Sequence, residues 1–198
     1  MRTLIVSLLA LIGSVASAAT PAQPATYAVD PVNTRVYWEV RHFGTSTHRG
    51  RFDNVSASIV LDPAHQAGEL QVTIATGGVD SGVGPLDGLL RGNSFFASAT
   101  YPKAYFVASK LVFDGEHLQE ARGEFTLRGV SHPLTLKALK FDCRHDEAAG
   151  RDVCGGDFEA EFLRSDYGIT FGLPFVGDKV RLVIQVEAVR EPAPGAAS

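Results

Sequence analysis

Val180-Arg181-Leu182-Val183-Ile184-Gln185-Val186-Glu187-Ala188-Val189 is the stretch on which the fold turns. Val180, Leu182, Ile184, Val186 and Ala188 fall on one face, while Arg181, Gln185 and Glu187 fall on the other. A period of two is the strand period, because successive side chains of an extended chain point to opposite sides. One apolar face and one wet face mark antiparallel sheet, since parallel strands covered on both sides read as unbroken apolar runs. The same alternation appears upstream. Val36, Trp38 and Val40 interleave with Arg35, Tyr37, Glu39 and Arg41; Phe125 and Leu127 with Glu124, Thr126 and Arg128; Phe158, Ala160 and Phe162 with Glu159 and Glu161.

Eight segments follow this rule: 34–42, 50–61, 69–76, 101–113, 117–128, 133–141, 155–164 and 179–190. Asp62-Pro63, Asp114-Gly115 and Arg128-Gly129 supply turn chemistry between several of them. Leu134 and Leu136 share one phase and Leu139 and Phe141 the other, which predicts a bulge near Ala138. One segment departs from the period of two. Leu86, Leu89 and Leu90 sit at helical spacing behind Pro85, so a short helix is expected over 85–91, followed by a turn through Asn93-Ser94-Phe95-Phe96. No repeat and no linker divides the chain. Eight meandering strands fit either a two-sheet sandwich or an up-and-down barrel, whose interior is filled by side chains or holds one small ligand.

The chain has 198 residues, with 18 Lys+Arg against 22 Asp+Glu and a net charge of −4. Phosphate binding needs a clustered cationic excess, so nucleic acid is not the expected partner. Arg2, the apolar run from Leu4 to Val15 and the small residues Ala16-Ser17-Ala18 have the form of a cleavable export signal over 1–18. That run is too short to span a bilayer as a helix, and no cysteine follows it to carry a lipid anchor. The mature protein is therefore expected in the periplasm and not as an integral membrane protein. Its single domain runs over 19–190, with an aperiodic, disordered tail over 191–198. Export into an oxidising compartment makes Cys143 and Cys154 a disulfide closing a polar hairpin loop, with a metal site through Cys143, His145 and Cys154 as the rival reading.

Catalytic motifs are sparse. Gly44-Thr45-Ser46-Thr47-His48 lacks the strand-turn-helix setting of a nucleophile elbow, and Gly77-Gly78 and Gly82-x-Gly84 lack the spacing of a phosphate loop. His42 shares the inward phase of Val36, Trp38 and Val40. Arg91, Arg164 and Asp166 are candidates to meet a polar ligand head, and are equally explained as surface ion pairs. With 12 Phe, 5 Tyr and 1 Trp, the inward aromatics either fill a core or wall a pocket, and composition leaves both open.

Several ordered motifs carry a resemblance. They are Tyr27-Ala28-Val29-Asp30-Pro31; Thr34-x-Val36-x-Trp38-x-Val40-x-His42-x-Gly44; Gly50-x-Phe52; and Leu90-Arg91-x-x-x-Phe95-Phe96. Tyr101-Pro102 and Phe106 come next, then Gly123-x-Phe125-Thr126-Leu127-Arg128-Gly129-Val130-Ser131-x-Pro133-Leu134, Arg164-Ser165-Asp166-Tyr167-Gly168-Ile169 and Val176-Gly177-Asp178-x-Val180. In this order the chain resembles the YceI-like family of exported bacterial proteins, from about Tyr27 to Glu187. It departs at Asn33-Thr34, where that family usually carries His-Ser. The resemblance implies an all-β fold, an eight-stranded antiparallel up-and-down, lipocalin-like barrel. It also implies an elongated apolar cavity for a polyisoprenoid or similar long-chain lipid, with no cofactor, no metal and no catalytic step. The wall expected on this reading comprises Trp38, Val40, His42, Leu86 and Leu90, together with Phe95, Phe96, Phe125 and Phe162. Arg91, Arg164 and Asp166 are then the head-group candidates. Two other readings stay in view: a lipid hydrolase or isomerase using His42, and a ligand-free envelope protein with a filled barrel. The assembly state, a dimer included, is left open.

Overall fold

The computed structural model describes residues 24–62, 65–115, 117–148 and 150–192, so the export signal over 1–18 and the end of the tail lie outside the described residues. Eleven strands form one sheet. In chain order they are β1 (Ala25–Val29), β2 (Arg35–His42), β3 (Ser46–Phe52), β4 (Val55–Asp62), β5 (Ala67–Ala75) and β6 (Val79–Asp80). Helix α1 (Gly84–Arg91) follows, then β7 (Lys103–Asp114), β8 (His117–Leu127), β9 (Val130–Asp146), β10 (Arg151–Leu163) and β11 (Val176–Arg190). All pairings are antiparallel. The order β1-β4-β5-β7-β8-β9-β10-β11 returns to β1, which closes an eight-stranded barrel.

The other three strands extend one rim. The β11 strand pairs with β1 through Ala28↔Val189 and, further along the same edge, with β2 through Val36↔Ile184. Strands β1 and β2 are thus one staggered strand with a break at residues 30–34. Both ends of the break are tied to a single residue of β11: the Asp30 amide donates to the Glu187 carbonyl at 2.8 Å, and the Glu187 amide donates to Thr34 Oγ1 at 3.3 Å. The neighbouring strands break at the same level, β3/β4 at Asp53-Asn54 and β5/β6 at the 3-10 turn Thr76–Gly78. Above that level β6 does not pair with β7, and α1 with the segment after it occupies the gap. Thr76, wholly buried, pins this corner by donating from Oγ1 to the Tyr101 carbonyl (2.7 Å) and from its amide to that of Pro102 (3.0 Å).

The expected segments map onto these strands with several differences, the two-residue β6 and the start of β3 at Ser46 among them. Strand β1 was not foreseen, because five residues with a single buried side chain, Tyr27, give too short a pattern. The segment 50–61 is two strands, β3 and β4, bent at Asp53-Asn54. The β9–β10 hairpin is longer than read, running to Asp146 and restarting at Arg151. The predicted bulge is present: Phe158 faces Ala138 and Asp157 faces Lys140, so Leu139 is the extra residue, and it points to solvent. The helix over 85–91 is α1. Glu191 still donates to the Thr26 carbonyl at 2.8 Å, which carries the β1–β11 pairing one residue past β11.

Cys143 and Cys154 face each other across β9 and β10 and are joined by a disulfide. Both sulfurs are therefore consumed, which overturns the metal reading; His145 turns instead to Asp152, Nδ1 to Oδ1 at 2.8 Å. On the outer face, charges pair across strands: Arg49 with Glu39, Glu39 with Arg181, and Arg181 with Glu159.

A second bulge, at Ser109 on β7, restores the inward phase for Leu111. Beside it, Gly123 lies so close to β7 that a Cβ there would stand 2.1 Å from the Val107 carbonyl oxygen. Gly123→Ala is expected to destabilise the protein by about 1–3 kcal/mol, the usual range for overpacking. Gly88→Ala, in α1 with open space around it, should gain roughly 0.5–1 kcal/mol. Urea denaturation of the two variants beside the parent checks both signs.

Candidate functional site

Inward positions of the ring enclose two apolar chambers, one above the other. The lower is a narrow cavity of about 100 Å³. The upper is one of about 80 Å³. Val36, Ile74, Phe125 and Leu182 belong to both walls and form the waist between them. The surface that either chamber exposes is apolar throughout.

The upper chamber gathers most of the wall expected from the sequence. Trp38, Val40, Leu90, Phe95, Phe96, Phe125 and Phe162 line it, and Arg164 stands among them. Gly50 is required here: the Trp38 ring lies against it, and a Cβ would meet Trp38 Cζ2 at 2.3 Å. The indole N–H of Trp38 is buried without a hydrogen-bond partner. Phe52, from the same Gly-x-Phe motif, meets Phe96 at a centroid distance of 5.4 Å. Phe125, Phe162 and Tyr167 form an aromatic cluster with centroids 5.3–5.5 Å apart. Burial pushes the Tyr167 hydroxyl up to about 12, with Asp166 adding to the effect.

Other expected residues stand elsewhere. Leu86 packs on the core from α1 without reaching either chamber wall. His42 lies beyond Val40 at the strand end, stacked on His48 at 4.0 Å and edge-on to Phe43 at 4.6 Å. Arg91 and Asp166 are exposed, and the Asp166 carbonyl meets His132 Nε2 at 3.2 Å. Arg164 is 4% exposed and is committed to the backbone. Its Nε donates to the Gly177 carbonyl (2.8 Å), Nη1 to those of Ile169 (3.0 Å) and Phe171 (2.9 Å), and Nη2 to that of Val176 (2.8 Å). It is a staple that fixes the loop between β10 and β11. Arg91, Arg164 and Asp166 therefore do not converge on one point.

Two loops cover the upper chamber. Arg128 Nη1 donates to the carbonyls of Asn93 and Phe95 and holds the segment after α1. Arg164 holds the opposite loop, and the two meet where Phe95 contacts Phe171, centroids 5.7 Å apart. Arg128 and Gly129 form a two-residue hairpin turn with φ of 52° and 75°, a type I′ geometry that costs a non-glycine residue about 1–2 kcal/mol. The guanidinium contacts give that arginine its reason to be there.

The lower chamber was not anticipated. Its walls come from β1, β4 and β5 (Tyr27, Ile59, Leu61, Val72) and from Phe106, Leu111 and Phe141. The inward phase of segments 50–61 and 69–76 carried that signal in the sequence.

An eight-stranded closed barrel around an apolar interior belongs to the lipocalin-like class. The YceI-like domain family matches residues 27–188, and the chain belongs to the YceI-like family. It is 31% identical over 170 residues to the protein YceI of Escherichia coli O157:H7, covering 84% of this chain and 88% of that protein. The crystal structure of Burkholderia cenocepacia BcnA superposes with a TM-score of 0.67 at 24% identity, covering 80% of this chain and 98% of that one. A polyisoprenoid binding domain from Saccharophagus degradans, implicated in plant cell wall breakdown, superposes with a TM-score of 0.59 at 17% identity over 84% of this chain and 99% of that domain. At those identities the two structures attest to the shared fold. Among the described residues no helix is long and apolar enough to cross a membrane.

The waist sets a length test. Phe125→Ala should widen the waist and raise affinity for long chains over short ones. Phe125→Trp should confine binding to chains that fit one chamber. Competition titrations with a homologous series of prenyl alcohols read the change in preference, and an unchanged series would remove Phe125 from the selection.

Proposed function

We propose that this protein binds a long-chain lipid of the polyisoprenoid type along its two chambers and carries it through the periplasm as a binding protein, not an enzyme. The observation that carries this reading is the wall: two chambers in line, joined at a waist, that expose no polar surface to an occupant. Such a lumen offers water no hydrogen bonds, and an apolar chain entering it gains ~25 cal/mol for each Å² removed from solvent. The fold shared with a domain described as polyisoprenoid binding supports the ligand class. Its narrowness favours a single chain over a ring system.

Two apolar cavities inside the barrel count toward an occupant, against a filled, ligand-free barrel. The hydrolase reading has less support, because His42 is outside both linings and its ring is engaged with His48 and Phe43. With an apolar wall, the polar end of a bound lipid stays at a mouth. Export through a signal over 1–18 completes the reading, since a chain-like lipid between two membranes needs an enclosing carrier.

Native mass spectrometry of protein purified from its own periplasm should show one long-chain lipid per protein, and organic extraction should release it. Protein recovered empty that also takes up no prenyl lipid would overturn the proposal. Sequencing the N-terminus of the same sample should find it beginning at Ala19.

A further inference from the structure

Three phenylalanines are exposed together at the upper end of the barrel: Phe43 (61%), Phe171 (54%) and Phe175 (60%). Phe43 sits at the tip of the β2–β3 turn, and the other two on the loop between β10 and β11. The Phe43 amide donates to the Phe175 carbonyl at 2.6 Å, and their rings lie 5.5 Å apart. Phe171 in turn touches Phe95, a wall residue of the upper chamber. Apolar surface therefore runs from inside the chamber, between the two covering loops, to the outer tip.

The turn that presents Phe43 is strained for it. The Thr45 amide bonds the His42 carbonyl at 3.1 Å, and the two central residues, Phe43 and Gly44, have φ of 49° and 68°. That is the type I′ turn, whose first central position favours Asn, Asp or Gly. A bulky side chain there is disfavoured by the backbone and, with its ring in water, by hydration too. Where the Arg128 side chain holds a covering loop, the Phe43 ring meets only the rings of its neighbour His42 and the exposed Phe175 among the described residues. A residue that breaks the local rule without a folding return is a pointer to function.

We infer that Phe43, Phe171 and Phe175 form a docking crown that inserts into the surface of an anionic lipid bilayer, placing the mouth of the upper chamber against the membrane. The occupant follows from shape, continuity and charge. The three rings project from turn tips and do not form a flat strand face, and β2 beneath them is already paired on both edges, with β11 and β3. The cation beside the crown, Arg41, donates to the Gly44 carbonyl and has no carboxylate partner among the described residues. Of the nearby acids, Glu39 pairs with Arg49 and Arg181, and Asp178 accepts from the amide and hydroxyl of Ser165 and lies within electrostatic reach of the Arg164 guanidinium. Asp166 is exposed at the start of the same loop, its carbonyl beside His132. Arg164 fixes the loop through four carbonyls, so Phe171 and Phe175 are held outward on a rigid frame.

The choice of a bilayer rests on the lipid-binding reading above, and the test separates the two. Flotation with vesicles of phosphatidylethanolamine and phosphatidylglycerol should carry the parent protein, and vesicles of phosphatidylcholine should carry much less. Phe43→Asn should weaken flotation about tenfold, the worth of one buried aromatic side chain, while its melting temperature stays level or rises because Asn suits the turn. Adding Phe171→Ser and Phe175→Ser should abolish flotation, and Arg41→Gln should erase the preference for phosphatidylglycerol. Flotation that the crown variants leave unchanged, or a parent protein that never floats, overturns docking. So does a crown whose loss only converts a dimer to a monomer in sedimentation. Uptake of cis-parinaric acid supplied without vesicles reports on the chambers alone. The double variant Phe43→Asn/Phe175→Ser, which leaves the contact between Phe95 and Phe171 intact, should keep it. A parent protein that floats through its crown yet takes up no chain supports docking and overturns the carrier reading.

Discussion

The barrel depends on β11 serving two partners along one edge. Its last three residues, Ala188 to Arg190, pair with β1 and close the ring, while the stretch from Val176 to Gln185 pairs with β2 and builds the rim. The changeover falls at Glu187, whose amide and carbonyl are both taken up by the residues of the break, Thr34 and Asp30. A strand edge carries a fixed row of donors and acceptors, and each must be matched where it is buried. Because β1 and β2 share the row without leaving a gap, the sheet can close below and flare above. The flare is what makes room for α1 and the covering loops, and so for an upper chamber with a lid.

The sheet was largely legible in the sequence, and the reason is physical. A strand with one wet face writes its phase into the chain, as at Val180, Leu182 and Ile184, and a bulge shows as a phase slip, as at Leu139. What could not be read were features without phase. Strand β1 has one buried side chain, and β3 has only Phe52 fully buried, too little pattern to show the phase moving by one residue at Asp53-Asn54 before Val55, Ala57 and Ile59. The site divided in the same way. Wall residues on strands, Trp38, Val40, Phe125 and Phe162, followed from phase plus family resemblance. Arg91, Arg164 and Asp166 were grouped by charge, and charge does not say whether a guanidinium meets a ligand or four carbonyls.

Two arginines show how a closed chamber can still have a door. Arg128 holds the segment after α1, and Arg164 holds the loop between β10 and β11. Each loop is fastened to the barrel, and the two meet at the contact between Phe95 and Phe171. An apolar contact between two anchored loops is the weakest boundary in the lid, since it carries no directional bond and an apolar chain can take its place with little loss. The same stretch is where the outer phenylalanines meet the inner wall.

An apolar lumen also limits what the protein can discriminate. Within it, free energy scales with the area of chain buried, about 0.8 kcal/mol for each methylene, so length and width are selected and head groups are not. Such a site holds its cargo more firmly the more fully it encloses it, and water is the environment in which release is least favourable. On the carrier reading, unloading therefore needs a different solvent at the mouth. A bilayer supplies one: a chain sliding from the chamber into acyl tails never faces water, and the burial term that held it nearly cancels between the two ends of the transfer. A fastened lid with one apolar seam, opening beside exposed phenylalanines, meets that requirement without any step that must be driven from outside.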